Sequence, residues 1–125
     1  MALDFGLARV GVALSYGTLA EPLEIVPNTE KLLEKIATLC VQHNIELVVV
    51  GQSEKEMAEL SQKFAEEVRL FTNLPIAMFD ETLSSVEVHR KLAEKNRGKQ
   101  QYKGAIDHLA AAHFLQQYLD ENYTI

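Results

Sequence analysis

The sequence predicts an α/β fold with a mixed sheet and helices on its faces. The chain opens with an antiparallel hairpin pattern, strand-like and helix-like segments then alternate, and one valine-rich run is apolar throughout. Its 125 residues, 47% hydrophobic and 24% charged, fit one globular domain over residues 1–125 and exclude a disordered chain. No apolar run approaches the roughly 20 residues that span a bilayer. The single cysteine excludes an internal disulfide and a cysteine-built zinc site, so we expect a cytoplasmic protein with no membrane partner.

The first third of the chain predicts three strands and a helix, at residues 2–5, 10–14, 19–26 and 30–43. The first two strands are short apolar segments around a tight turn, which is typical of a hairpin, and Asp4 lies close to that turn. The third is weakly strand-like and contains Pro22, which an edge strand tolerates best. The helix has apolar residues at steps of three and four, and Asn28 or Thr29 can cap its start. Cys40 belongs to this apolar stripe, so we assign it a packing role.

The rest of the chain predicts a strand at 47–50, a helix at 53–70, a strand at 76–79, a helix at 84–95, a basic loop at 96–102 and a helix at 105–119. The strand at 47–50 is a continuous apolar run, which indicates burial on both faces. The helix that follows predicts a core stripe at helical spacing, formed by Met57, Leu60, Phe64, Val68 and Phe71. The last helix is rich in alanine, which allows a close approach to the sheet.

The charge of the chain is unevenly distributed. The net charge is −6 and the sequence pI is about 5.2, so the chain as a whole lacks the basic character of many nucleic-acid-binding domains. Half of its 12 basic residues nevertheless lie between residues 88 and 106, where only Glu94 is acidic: Arg90, Lys91, Lys95, Arg97, Lys99 and Lys103. Such a patch can attract phosphate whatever the net charge. A solvated helix end and loop is the simpler interpretation of the same pattern.

Carboxylates from distant parts of the chain are expected near one edge of the sheet. Asp4 lies on the first strand, Asp80 and Glu81 follow the last strand, and Asp107 begins the last helix, one turn before Ala111. Converging carboxylates suit Mg²⁺ or Mn²⁺, and pairs of such ions serve phosphodiester hydrolysis. Each acid also has an ordinary structural explanation, since aspartate forms turns, caps helices and favours helix starts.

The same residues resemble a known family. The segments that carry the resemblance are Leu3-Asp4-Phe5-Gly6 with Arg9-Val10-Gly11-Val12-Ala13, Ala20-Glu21-Pro22-Leu23, Val49-Val50-Gly51, Asp80-Glu81-Thr82-Leu83-Ser84-Ser85, and Lys103-Gly104-Ala105-Ile106-Asp107 with Ala110-Ala111-Ala112. In this order, over nearly the whole chain, they are similar to the YqgF family of bacterial proteins. The resemblance implies an RNase H-like fold, with a five-stranded mixed sheet flanked by helices. It also implies a metal-dependent endonuclease that processes the 5′ end of pre-16S rRNA in ribosome biogenesis, or a related Holliday junction resolvase.

The resemblance also implies roles for individual residues. Asp4, Glu81 and Asp107 are the expected catalytic residues and the ligands of Mg²⁺ or Mn²⁺. Contacts to nucleic acid are expected from basic side chains in the hairpin turn and before the last helix, namely Arg9, Arg97, Lys99 and Lys103. His108 adjoins Asp107 and could aid proton transfer, although a structural histidine is the commoner case.

The chain departs from the family pattern at three places. Thr82 stands where the family usually has arginine, Ala8 stands where it usually has lysine, and a loop after Gly51 is shortened. These departures keep a second hypothesis open, a non-catalytic nucleic-acid-binding module with the same fold. A third, a nucleotide-binding fragment of the actin and sugar-kinase type, conflicts with a chain that holds one domain. The expected assembly is a monomer or a homodimer, and a resolvase would need two-fold symmetry to make two cuts.

Overall fold

The computed structural model describes residues 1–52, 56–80 and 103–122, without the side chains of Glu56 and of residues 103–108. Its strands are β1 (Ala2–Phe5), β2 (Arg9–Ser15), β3 (Ala20–Pro27), β4 (Val48–Gln52) and β5 (Ile76–Asp80). Its helices are α1 (Leu32–Gln42), α2 (Glu56–Thr72) and α3 (Lys103–Asn122). The helix expected at 84–95 and the loop expected at 96–102 lie outside the described residues.

The five strands form one mixed sheet in the order β3-β2-β1-β4-β5. β1 pairs antiparallel with β2 and parallel with β4, β2 pairs antiparallel with β3, and β4 pairs parallel with β5. Strands β1, β2 and β3 therefore form the antiparallel part of the sheet, and β4 and β5, which alternate with helices, extend it in parallel from β1. The predicted five-stranded mixed sheet is confirmed, with β1 at its centre. Among the described residues, no helix is both long and apolar enough to cross a membrane.

Two separate cores lie on the two faces of the sheet. On one face, here called the α1/α2 face, Leu3, Val10, Val12, Val48 and Val50 pack with α1 and α2. On the other, called the α3 face, Ala2, Ala13 and Val49 pack with α3. The side chains of a strand alternate between faces, so the valine run in β4 serves both cores, as its composition predicts.

The α3 face is lined by small side chains where the helix crosses it. Ala2, Ala13 and Ala111 are each fully buried there, and Ala110 is nearly so. Small residues let the helix backbone come close to the sheet, as the alanine-rich sequence predicts. Gln116 fixes the helix further along: its Nε2 donates to the Thr18 carbonyl oxygen at 2.8 Å, and its Oε1 accepts from the Ala20 amide at 2.9 Å.

The predicted stripe of α2 is wrong at two positions. The buried residues of this helix are Ser61, Phe64, Ala65 and Val68, whereas Leu60 is 40% exposed and Phe71 is 53% exposed. The helix is rotated so that two small residues face the sheet. The helix packs closely through the small residues Ser61 and Ala65, and the larger side chains of Leu60 and Phe71 stay partly exposed as a result.

The predicted cap of α1 is also wrong. The helix begins at Leu32 after Lys31, and the capping position makes no side-chain hydrogen bond. Thr29 Oγ1 accepts from the Lys31 amide at 3.3 Å, which forms a turn ahead of the helix, while Asn28 is hydrogen-bonded elsewhere. The helix ends at Gln42, one residue before the predicted end, and Asn44 follows with a φ of 51° that cannot continue the helix.

Cys40 has the packing role expected of it. Its side chain is buried, and its thiol lies 3.9 Å from the sulfur of Met1 as a weak hydrogen-bond donor. Burial raises the pKa of the Cys40 thiol, which keeps it protonated at neutral pH. The residue is therefore a small apolar group of the core.

Candidate functional site

The three parallel strands end at the same edge of the sheet, and polar residues lie at their ends. Asp4 is the next-to-last residue of β1, Gln52 is the last residue of β4, and Asp80 is the last residue of β5. Gln52 and Asp80 are paired across the two strands. The carboxyl ends of parallel strands are the usual place for functional groups in α/β proteins. The structure thus brings Asp4 and Asp80 to one edge, as the sequence predicts.

Asp4 lies on the α3 face of the sheet. Ala2 packs in the core beneath α3, and Leu3 packs in the core on the opposite face. Because side chains alternate along a strand, Asp4 shares the face of Ala2, and Phe5 shares that of Leu3. The Phe5 ring confirms this, since its centroid is 4.6 Å from that of Phe64 in α2. A half-buried carboxylate therefore lies on the face that the last helix covers.

Glycines flank Asp4 on this face. Gly11 in β2 is its direct partner across the antiparallel pair. On the other side, Ala2 and Leu3 pair with Val49 and Val50, so the same register continued by one residue brings Asp4 beside Gly51. Neither glycine carries a side chain to fill the space next to the carboxylate. The carboxylate oxygens of Asp4 are the donor type that a hard cation such as Mg²⁺ or Mn²⁺ prefers.

Asp80 lies on the face opposite to Asp4. Phe79 faces α3, where its ring stacks on Phe114 with centroids 5.8 Å apart and planes inclined by 14°. Alternation then directs Asp80, an exposed residue, to the α1/α2 face. The sequence left the role of Asp80 open, and this geometry separates it from the Asp4 carboxylate. Glu81 lies outside the described residues.

Apart from Arg9, the remaining predicted site residues belong to α3 or lie outside the described residues. Lys103 is the first residue of α3, and Asp107 lies in its second turn, four residues before the fully buried Ala111. The structure describes the backbone of both but not their side chains. Arg97, Lys99 and Thr82 lie in a stretch that the structure does not describe. Within the described residues, no three histidine, cysteine or acidic side chains are grouped closely enough to hold a metal ion.

Arg9 is the predicted nucleic-acid contact whose surroundings the structure describes best. It is the half-buried first residue of β2 and shares a face with Gly11, two residues along the strand. Since Gly11 is the partner of Asp4, Arg9 is a diagonal neighbour of the carboxylate, at a Cβ separation of about 7 Å. Arg9 and Asp4 therefore lie on the same face of the sheet.

Sequence reasoning missed the residue that holds the turn between Asp4 and Arg9. Asn28 Nδ2 donates to the Gly6 carbonyl oxygen at 2.7 Å, and the Asn28 amide donates to the Ala8 carbonyl oxygen at 3.0 Å. Its position directly after Pro27 was the available signal. An asparagine between a strand and a helix serves as a turn residue as readily as a helix cap.

A cavity lies at the opposite edge of the sheet from Asp4. Its volume is about 470 Å³, and it lies between the ends of β2, α1 and α3. The Tyr16 hydroxyl and His43 Nδ1 are 2.5 Å apart at its rim. The amino group of Met1 donates to the Leu47 carbonyl oxygen at 3.1 Å, and burial lowers the pKa of that amino group to about 6. Neither Asp4 nor Arg9, the two predicted site residues whose side chains the structure describes, lines this cavity.

Comparison with known proteins gives a consistent result. The family model described as "RuvX: Holliday junction resolvase" matches residues 1–121. A protein of Anaeromyxobacter sp. (strain Fw109-5) named "Putative pre-16S rRNA nuclease" is 35% identical over 130 residues, covering 96% of this chain and 95% of its own. A Streptococcus uberis protein of the same name is 34% identical over 138 residues, covering 98% of both chains.

Solved structures are similar in fold. Thermus thermophilus RuvC in complex with a Holliday junction substrate superposes with a TM-score of 0.59 at 13% identity, covering 97% of this chain and 92% of that one. A second Thermus thermophilus RuvC structure gives a TM-score of 0.55 at 12% identity. These similarities confirm the RNase H-like fold that the resemblance implies.

Proposed function

The chain belongs to the RuvX Holliday junction resolvase family, and from this premise we propose that it is a nuclease that hydrolyses phosphodiester bonds in structured nucleic acid. One observation carries the proposal: Asp4 lies at the carboxyl end of the central strand, on the α3 face, with glycines on both sides. The relatives named for pre-16S rRNA favour precursor rRNA as the substrate. Trimming of its 5′ end in the cytoplasm is the part of the proposal that the family resemblance alone supports.

Asp4, Glu81 and Asp107 are the proposed metal ligands. Asp107 precedes the buried Ala111 by one turn, and residues four apart share a helix face, which supports a position toward the sheet. Phe79, two residues before Glu81 in the sequence, faces α3. We assign the carboxylates from β1, from the chain after β5 and from α3 to one metal site.

Bound Mg²⁺ or Mn²⁺ would supply an activated water and would neutralise charge on the phosphate. The chain's own groups prepare the site for this chemistry. The three carboxylates hold the cation, and Gly11 and Gly51 flank Asp4 without side chains of their own. Arg9 and Lys103, with Lys99 and Arg97, hold the phosphates of the strand. These cations attract phosphate locally in a chain whose net charge, with them included, is −6.

The proposal is tested by cleavage assays with Mg²⁺ or Mn²⁺ on a precursor rRNA fragment and on a four-way DNA junction. We expect wild-type cleavage, and Asp4→Asn should lower it by more than the roughly 10- to 100-fold that changes in the outer layer of a metal site cost. Glu59→Gln, which removes an exposed acid from α2, is the matched control and should retain wild-type activity. Equal losses in both variants would contradict the proposed site.

The choice of substrate distinguishes the remaining alternatives. Preferred cutting of the RNA favours rRNA processing, whereas paired cuts in the junction by a two-fold dimer favour resolution. Binding without cutting of either substrate favours the non-catalytic module. Thr82 and the short connection after Gly51 would then be the first positions to restore.

A further inference from the structure

The turn that follows Asp4 has little packing to hold its shape. Leu7 at its tip is 70% exposed, and Ala8 is exposed as well. The turn is also tight, because a Cβ atom on Gly6 would lie only 2.6 Å from the Arg9 carbonyl oxygen. Hydrogen bonds therefore contribute more to its conformation than burial does.

Asn28 supplies hydrogen bonds to both sides of the tip. Its Nδ2 donates to the Gly6 carbonyl oxygen at 2.7 Å, and its backbone amide donates to the Ala8 carbonyl oxygen at 3.0 Å. The hydrogen bond from the Asn28 backbone amide extends the β2–β3 pairing by one residue beyond Arg9 and Pro27, which are the last paired residues of these strands. The hydrogen bond from the Asn28 side chain reaches the other side of the turn, which continues from β1. One residue thus ties together the two strands that carry Asp4 and Arg9.

The side chain of Asn28 is not used to start the neighbouring helix. α1 begins at Leu32 without a side-chain cap, and the turn before it is closed by Thr29 Oγ1 and the Lys31 amide. The asparagine therefore acts on the hairpin turn and not on α1.

We propose that Asn28 is a positioning residue that sets the spacing of Asp4 and Arg9 on the α3 face by holding the turn between them. The inference rests on the proposed nuclease function. Asp4 holds the cation and Arg9 holds a phosphate, so the shape of the turn fixes where the phosphate lies relative to the cation. Misplacement by about 1 Å in such an arrangement can cost on the order of 100-fold in rate.

The test compares Asn28→Ala with Thr72→Val. The control also loses side-chain hydrogen bonds, because Thr72 Oγ1 donates to the Val68 carbonyl oxygen at 2.7 Å and accepts from the Leu74 amide at 3.3 Å. Thr72 ends α2, which leads into the start of β5 at the opposite edge of the sheet from Asp4. For both variants we would measure the melting temperature, kcat and KM of Mn²⁺-dependent cleavage, and the Mn²⁺ affinity by calorimetry.

We expect Asn28→Ala to lower kcat by about 10-fold or more and to weaken Mn²⁺ binding, within the range for outer-layer partners of a metal site. Thr72→Val should lower the melting temperature similarly while kcat and Mn²⁺ affinity stay within about two-fold of wild type. Equal effects of the two variants on kcat and on Mn²⁺ affinity would overturn the inference.

Two further outcomes, a variant that does not fold and a wild type that does not cleave, can be distinguished from each other. If Asn28→Ala does not fold, Asn28→Asp keeps the size of the side chain and removes the Nδ2 donor, and the same losses are expected of it. If the wild type cleaves nothing, the proposed function is contradicted. The inference about Asn28 is then decided by Mn²⁺ affinity alone: an unchanged value in the Asn28 variant overturns it, and a selective loss supports it.

Discussion

Replacing Phe114 should cost a large part of the stability of the fold. Its side chain is fully buried in the core under α3, and its ring stacks on Phe79. Phe114→Ala removes this burial and leaves a cavity, which costs about 3–5 kcal/mol. A domain of this kind is stable by only about 5–15 kcal/mol, so the melting temperature should fall by about 15 °C. Phe114→Leu keeps most of the volume and should cost about 1 kcal/mol, chiefly the ring stacking.

The assay is urea unfolding followed by far-ultraviolet circular dichroism, which suits a chain without tryptophan. The control is Phe71→Ala, which removes a ring that is 53% exposed and should cost less than 1 kcal/mol, near the usual surface range. A cost below about 1 kcal/mol for Phe114→Ala, or one equal to that of the control, would refute the packing argument. A double-mutant cycle with Phe79→Leu should give a coupling of about 0.5–1.5 kcal/mol.

Three further predictions concern single residues. Gly6→Ala should destabilise the fold by about 1–3 kcal/mol and lower cleavage, because the new Cβ would meet the Arg9 carbonyl oxygen at 2.6 Å; unchanged melting and activity would contradict the tight turn. Ser61→Ala should leave the free energy of unfolding unchanged or raise it by up to about 1 kcal/mol, because the hydroxyl is buried without a hydrogen-bond partner among the described residues; a loss above 1 kcal/mol would indicate a bound water. The free energy of unfolding should fall as the pH rises above 9.0, the ordinary pKa of the thiol. Burial raises the pKa of Cys40 in the folded protein, so above that pH the unfolded chain releases the thiol proton while the folded chain keeps it. Urea midpoints between pH 7.5 and 10 should show this fall in wild type and a smaller one in Cys40→Ala, whereas parallel curves would exclude the thiol as its cause.

The sheet could be predicted from the sequence because its signals are local. The hairpin around Asp4, the valine run of β4 and the apolar steps of α1 each fix an element by their own spacing. The rotation of α2 could not be predicted in this way. Helical periodicity gives a stripe about 100° wide, and which edge of the stripe faces the sheet depends on the partner surface, so Leu60 and Phe71 were misplaced.

The candidate site was only partly predictable. The position of Asp4 at a strand end follows from its neighbours, and its face follows from alternation once the core on each side is known. The separation of Asp80 from Asp4 needed the stacking of Phe79 on Phe114, a contact between residues far apart in sequence. The role of Asn28 depends on carbonyl groups some 20 residues away, which no local pattern encodes. The metal and catalytic roles of Asp4, Glu81 and Asp107, and the nucleic-acid contacts of Arg9, Arg97, Lys99 and Lys103, stay predictions.

Helix α3 contacts the sheet closely at Ala111, where the side chains are small. A tilt of the helix about this contact would move the residues on either side of it. Asp107 lies four residues away, which is about 6 Å along the axis. A larger side chain at Ala2 or Ala13 that tilted the helix by about 10° would move the backbone at Asp107 by about 1 Å, twice the tolerance of about 0.5 Å for a working site. With Asp107 as a metal ligand, as proposed, substitutions at these buried alanines would lower activity as substitutions of a ligand do. Loss-of-function screens should recover substitutions at these buried alanines in proteins that remain folded.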